Sequence, residues 1–346
     1  MKLYDSNGFA NMSEVFNNIP ASFIFCLGGR GIGKTYGALK EIEKSNIKFM
    51  LMRRTQEQCD MINKSEFSPF KSLMNDNPDV CIVSQSISKK NAAFYRGVID
   101  EDGKTVAQGA PIGYTCALST VASMRGFDAS GVEIILYDEF IPEKHERPMR
   151  NEGAALLNAY ETINRNRELF GKPPVKLIAL SNTNTMASPI FAELGLIDIV
   201  DKMQRKHREY YIDKSRGIAI IMWQNSPVSD LKKNTALYKI TSGSEFERMS
   251  INNEFSSDDM SYIKNRPIAE YMPVVVFNDV CIYSHKSRRE YYCTRHISGN
   301  PPIYKNTELD RKQFKNLYSG LYLQLIAGHM FFSDYYCKLT LTNLFK

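Results

Sequence analysis

The chain has 346 residues, 43% of them hydrophobic and 24% charged, and a formal net charge of +6. Such a length suits two domains better than one. No apolar run reaches the roughly 20 residues that cross a bilayer, and residues 1–20 lack the basic start and apolar middle of a signal peptide, so a cytoplasmic protein without a membrane span is expected. The seven cysteines are scattered without a C-x-x-C, and the five histidines do not cluster with them, which predicts free thiols and no zinc site. The mildly basic balance permits a nucleic-acid partner without requiring one.

In chain order, the apolar run 22–27 predicts a buried strand, 35–44 a helix and 48–52 a second strand, together a β-α-β unit and hence a parallel sheet. Short runs at 80–84, 93–98, 105–108 and 113–119 predict an antiparallel insertion, with Asp102-Gly103 as a hairpin turn. The sheet resumes at 132–137. Residues 152–168 have helical spacing, 175–180 is a further buried strand, and 219–223 is a last strand or half of a hairpin with 210–212. The polar stretch 226–256 reads as a partly helical linker. Beyond it, 274–277 and 280–283 flank Asn278-Asp279 as a hairpin, and 309–332 reads as one helix with Phe314, Leu317, Tyr318, Leu321 and Leu325 on one side. The expected organisation is a nucleotide-binding domain over 1–225, a linker over 226–256 and a small α+β domain over 257–346.

Gly28-Gly29-Arg30-Gly31-Ile32-Gly33-Lys34-Thr35 matches G-x-x-x-x-G-K-[ST], with a strand before it and a helix after. Glycines let the backbone turn tightly and aim amide groups at phosphate oxygens, and the helix N-terminus adds partial positive charge. This assigns Lys34 to the β- and γ-phosphates of ATP and Thr35 to Mg2+. Asp138-Glu139 ends the apolar strand 132–137, where α/β folds bind ligands. Asp138 is expected to hold the metal and Glu139 to polarise the attacking water. Strand alternation should aim the two acids differently. A Glu directly after the Asp points to the hydrolytic, motor-like branch of P-loop proteins. Ser181-Asn182-Thr183 follows the next strand, which would let Asn182 sense the γ-phosphate; a polar turn is the plainer alternative.

Phosphoryl transfer needs positive charge in the transition state. On a continuous helix Arg165 and Arg167 face nearly opposite ways, which leaves Arg165 on the polar face, able to reach a neighbouring subunit. Its bland alternative is a pair with Glu161. Arg30, Arg53, Arg54 and Arg125-Gly126 are further candidates. Towards the C-terminus, Lys286, Arg288, Arg289 and Arg295 interleave with Tyr283, Tyr291 and Tyr292, a mixture that suits nucleic acid through phosphate contacts and stacking, or simply a charged hairpin face.

These motifs, in this order, resemble the DNA packaging (encapsidation) ATPases of small protein-primed podoviruses, the Picovirinae type. The carriers are the glycine-rich loop, Arg53-Arg54, Asp138-Glu139-Phe140-Ile141 with Glu143-Lys144, the stretch from Asn151-Glu152 to Asn158, Arg165-Asn166-Arg167-Glu168 and Leu180-Ser181-Asn182. The resemblance covers about 22–192 and thins after 260. It implies an ASCE-type P-loop fold related to the large terminase ATPases, acting in the host cytoplasm at the viral prohead. It further implies a ring of five copies at the capsid portal, double-stranded DNA as cargo, a structural packaging RNA and an arginine finger at Arg165. The last domain is then similar to an RNase H-type nuclease that has lost its active site. Val274–Phe277 and Val280–Tyr283 carry no acid inside, and Asp279, Glu290, Glu308, Asp310 and Asp334 form no visible cluster. Three other readings stay open: a terminase-like enzyme with an active nuclease, a nucleotide-gated nucleic-acid-binding scaffold, and a helicase.

Overall fold

An apolar run without polar alternation belongs to a strand buried on both faces, and β1 (Phe23–Gly28) is the first case. Ile24 and Cys26 pack against Val15 and Phe16 of α1 (Met12–Asn18) and Ala38 and Leu39 of α2 (Lys34–Ser45). On the opposite face, the Phe25 ring lies 5.6 Å from Phe140 and 5.5 Å from Phe191. A computed structural model describes the chain apart from residues 103, 125–128, 130, 144, 145, 147, 148, 150, 254, 256, 257 and 346, and apart from the side chains of 122–124 and 245. Arg125-Gly126, Lys144 and the Gly103 of the predicted turn lie outside the described residues. The chain divides into one unit of 1–194 with 202–257 and another of 195–201 with 258–346.

The first unit is built on nine strands. After β1 come β2 (Phe49–Arg53), β3 (Ile82–Ser86), β4 (Ala92–Ile99), β5 (Thr105–Ala117), β6 (Ile134–Asp138), β7 (Lys176–Ser181), β8 (Tyr210–Asp213) and β9 (Ile218–Trp223). Their order is β3-β4-β5-β2-β6-β7-β1-β9-β8. The five central pairings from β5 to β9 are not all local in sequence, yet all are parallel, and the edges β3, β4 and β8 are antiparallel. One strand, β7, is inserted between the glycine-loop strand β1 and the Asp-Glu strand β6, as in the ASCE branch. The two strands expected over 105–119 are one: β5 runs antiparallel to β4 through its first half and parallel to β2 from Gly113 to Ala117. At the last position of β9, Trp223 pairs with Gly28, is fully buried, and donates from Nε1 to the Leu3 carbonyl at 2.6 Å.

Helices α3 (Gln56–Ile62) and α4 (Lys71–Asp76) follow β2. Helix α5 is shorter than expected, Glu152–Asn164, because Arg165 and Asn166 adopt left-handed backbones with φ of 45° and 56°; a 3-10 turn follows over Arg167–Phe170. The helical-wheel argument for Arg165 against Arg167 therefore does not hold. Arg165 is the residue that ends the helix, and it is exposed. The stretch read as a linker is also different. It folds into short helices over Pro227–Lys232, Ala236–Ile240 and Glu245–Ser250 and belongs to the first unit. Much of it is exposed, but Lys232 and Asn253 make polar contacts with the glycine loop.

The second unit carries a five-stranded sheet. β10 (Tyr271–Phe277), β11 (Val280–His285) and β12 (Tyr291–Thr294) form an antiparallel meander; β13 (Ile303–Tyr304) adds parallel to β10 and β14 (Met330–Phe332) parallel to β12. The expected hairpin is present, with Phe277 opposite Val280 and Asn278 left-handed between them. The single helix expected over 309–332 is two, Glu308–Leu317 and Ser319–Ile326, followed by β14. Gly328, at φ 74°, lies in the turn that redirects the chain into β14. Phe314 and Leu321 are buried, whereas Leu317 of the proposed stripe is 69% exposed.

Candidate functional site: a phosphate loop with two acids and an arginine clamp

Parallel pairing brings the carboxyl ends of β1, β2, β6 and β7 to one edge, with Leu27 opposite Ser181, Met52 opposite Tyr137 and Asp138 opposite Leu180. The glycine loop, Arg53, the two acids and Asn182 sit at or just beyond that edge. The glycine loop runs from Gly28 to the first turn of α2. Gly31 and Gly33 have φ of 69° and 84°, in the left-handed region that any side chain would strain. Gly29 is required for a different reason: a Cβ there would collide with the Asn253 side chain and the Ser250 carbonyl.

Lys34 folds back across the loop. Its Nζ donates to the carbonyls of Gly28 and Gly29, both at 2.8 Å, and lies 3.3 Å from Asn182 Oδ1. Burial lowers its ammonium to about 7, with the Asp138 carboxylate acting in the opposite direction. Thr35 Oγ1 donates to Asp138 Oδ1 at 3.0 Å, so the hydroxyl of the loop and the carboxylate of β6 are in direct contact.

Asp138 is buried and ends its strand. Glu139 then takes a left-handed backbone with φ 58°, an uncommon and strained choice for this residue type. That kink breaks strand alternation, so the acids do not diverge as expected. Both reach Arg53, whose guanidinium lies 2.9 Å from Asp138 Oδ2 and 2.8 Å from Glu139 Oε2. Partial burial raises the Glu139 carboxyl, Arg53 lowers it and Asp138 raises it again. With 56% of the side chain exposed, solvent screens much of this.

The other arginines separate by role. Arg54 points inward, fully buried, with Nε 2.8 Å from Glu152 Oε1 and Nη1 3.0 Å from Glu146. It anchors the end of β2 to the first turn of α5 and is remote from a catalytic task. Arg30 pairs with Glu143. Arg165 is exposed beyond α5, with Leu169 and Phe170, 81% and 77% exposed, a few residues further on. In the second unit, Tyr283 and Tyr292 are buried in a core cluster and unavailable for stacking, which removes two of the three tyrosines of the expected basic-aromatic face. Arg288 pairs with Glu270 at 3.0 Å and Lys286 donates to the Ala269 carbonyl at 2.7 Å.

Sequence reasoning missed two residues of the loop's surroundings. Asn253 is buried and left-handed at φ 57°; its Oδ1 accepts the Gly29 amide, and its Nδ2 donates to the carbonyls of Gln224 at 3.0 Å and Ile251 at 3.1 Å. Lys232 Nζ donates to the Arg30 carbonyl. Both come from the stretch read as a linker, and only Asn in a polar run hinted at a left-handed turn. Asn253→Gly keeps the backbone conformation but strands the Gly29 amide, and is expected to lower stability by about 1–3 kcal/mol. Chemical denaturation checks this, and an unchanged midpoint would remove Asn253 from the loop's support.

The strand order, the glycine loop and the acids at the end of β6 define a P-loop nucleoside-triphosphatase fold of the ASCE type. The sequence model of the podovirus DNA encapsidation protein (Gp16) family matches residues 5–285, and the chain belongs to that family. The DNA packaging proteins of Bacillus phages phi29 and B103 are each 27% identical to it over 247 residues, 70% of this chain. The match spans 64% and 67% of those relatives' own lengths, so part of each has no counterpart in the alignment. In fold, the chain is similar to a protein of the bacteriophage Phi-29 viral genome packaging motor assembly, at 21% identity and a TM-score of 0.68 over 99% of this chain and 98% of that one. It is also similar to the Phi-28 gp11 DNA packaging motor, at 20% identity and 0.64 over 96% and 95%.

Proposed function

We propose that the chain is an ATP-driven motor that moves double-stranded viral DNA into a preformed capsid, acting in the infected cell at the prohead. The contact between Thr35 and Asp138, beside a buried Lys34, is the observation that carries this reading. A hydroxyl and a carboxylate at 3.0 Å fit a magnesium ion that takes its remaining oxygens from triphosphate and water. Amides around Gly31 to Thr35 bind the phosphates and Lys34 neutralises them. When bound, the ion supplies charge stabilisation at the transferring phosphoryl group.

In this mechanism Glu139 accepts a proton from the attacking water, and Arg53 holds it beside Asp138 until nucleotide enters. Asn182, hydrogen-bonded to Lys34, senses the γ-phosphate. Arg165 enters the site of a neighbouring copy, which makes a ring at the capsid portal the working unit and a structural RNA a further partner. The second unit has no nuclease role in this scheme. Its acids are engaged locally: Glu290 with Arg266 at 3.0 Å, Asp334 with the Cys337 amide at 2.9 Å and Asp310 with the Lys305 amide at 2.6 Å. Among the described residues, no three His, Cys, Asp or Glu converge as a metal site.

The test is ATP turnover against protein concentration, with and without double-stranded DNA. Turnover per chain should rise with both. Arg165→Ala should reduce it by about 10³-fold, and mixing that variant with Glu139→Gln should restore part of the activity, since each supplies what the other lacks. Turnover that is flat with concentration, blind to DNA and not rescued by mixing would overturn the shared-site motor.

A further inference from the structure

A second lysine stands over the phosphate loop, and the loop's own motif does not supply it. Lys232 ends the helix Pro227–Lys232, which is pinned at its start by Ser226 Oγ donating to the Gly8 carbonyl at 3.0 Å. The Lys232 carbonyl accepts the Thr235 amide at 2.9 Å and the Thr235 hydroxyl at 2.8 Å, so the backbone there is held. The side chain reaches back across the loop. Its Nζ donates to the Arg30 carbonyl, and a Cβ on Gly31 would stand 3.5 Å from it. The Tyr238 ring backs the ammonium, with its centroid 5.0 Å away, and is itself buried and stacked on Phe246 at 6.0 Å. The helix Glu245–Ser250, which carries Phe246, returns to the site: the Thr183 hydroxyl, next in sequence to Asn182, donates to the Met249 carbonyl at 3.3 Å.

Lys232 is half-buried, yet among the described residues no carboxylate pairs with it; Asp230 is taken by Lys233 at 2.7 Å. A neutral carbonyl and an aromatic face orient a cation without cancelling its charge. The surroundings are already positive. Burial is the main cause that lowers the Lys34 ammonium, and the charges of Lys232 and Arg30 add to it. Three cations therefore crowd one loop, with Glu143 beside Arg30 and Asp138 near Lys34 but no acid for Lys232. Such a surplus suits a polyanion.

We propose that Lys232 is a second phosphate-binding lysine: when nucleotide enters, its Nζ exchanges the Arg30 carbonyl for the γ-phosphate, while Tyr238 keeps the ammonium aimed at the loop. This rests on the reading of the glycine loop as a triphosphate site. Position selects the terminal phosphate over the inner two. Arg30 pairs with Glu143, so its part of the loop lies against the segment that begins with Asp138 and Glu139, whereas Gly33 caps α2 at the far end of the loop. Lys232 thereby makes the helices of 227–250 respond to the presence of the γ-phosphate.

Equilibrium binding of the β,γ-imido analogue of ATP and of ADP, each with Mg2+, separates the terminal phosphate from the rest. For Lys232→Met, which keeps an unbranched chain over Tyr238 without its charge, the analogue is expected to bind about 10- to 100-fold more weakly, the worth of one charge-assisted hydrogen bond. ADP should bind within about twofold of the parent, which also shows that the loop is intact. Lys232→Gln, still able to donate to the Arg30 carbonyl, should lose affinity for the analogue in the same way, and Lys232→Arg should recover most of it. Equal weakening of both ligands would reduce Lys232 to a prop for the loop, and unchanged affinity for the analogue in Lys232→Met and Lys232→Gln would remove it from the phosphates; either result overturns the assignment. If the parent chain binds neither ligand, it is the triphosphate site that fails.

Discussion

Glu139→Gln is expected to reduce ATP turnover by about 10²–10⁴-fold while leaving nucleotide affinity within a few-fold of the parent. The amide is isosteric and can still accept a hydrogen bond from Arg53, so the clamp that now lies 2.8 Å from Glu139 survives. What disappears is the capacity to take a proton from water. The contrast with Asp138 sharpens the test. Asp138→Asn removes the buried charge opposite Thr35, and should raise the magnesium concentration needed for half-maximal activity as well as lowering the rate. Turnover in Glu139→Gln within tenfold of the parent would move the base elsewhere and leave Glu139 as a partner of Arg53 only.

Loss of Arg54 is expected to be the most damaging change to the fold. Its side chain is 1% exposed and that of Glu152 is 0%, and the pair makes two contacts, at 2.8 and 3.3 Å. Arg54→Ala leaves the Glu152 carboxylate without its cation in a dry site, at a cost of about 3–5 kcal/mol. For a unit of this size that lowers the thermal midpoint by roughly 10 °C. The double variant Arg54→Met with Glu152→Leu should recover most of the loss, because apolar replacement of a buried ion pair is often neutral. Calorimetry of the three proteins decides it. A single variant as stable as the parent, or a double variant no better than the single, would show that the pair does not hold β2 to α5.

How much of this was legible in the sequence depends on how local the physics is. The glycine loop was legible because a strand, a φ above zero at Gly31 and Gly33, and a following helix are all set within a dozen residues. The parallel core was legible because β1, β6, β7 and β9 are apolar on both faces. Where alternation or helical spacing was extended past an element's end, it failed. Glu139 and Arg165 both sit on left-handed backbones that no Gly or Pro announces, so periodicity cannot be carried through either position. Arg53 and Arg54 are neighbours in sequence, yet one holds the acids and the other is sealed in the interior, a division decided by partners about a hundred residues away. The stretch 226–256 was misread for the same reason. Asn253 meets Gly29 across 224 residues, and composition carries no trace of such a contact.

Trp223 is the chain's one tryptophan among 19 tyrosines. Its indole is fully buried, bonded to the Leu3 carbonyl, and its backbone is paired with the first glycine of the phosphate loop. Red-edge excitation therefore isolates a single emitter in an apolar setting one strand from the glycine loop. The protein carries its own optical probe there, able to follow loop rearrangement during turnover without a label.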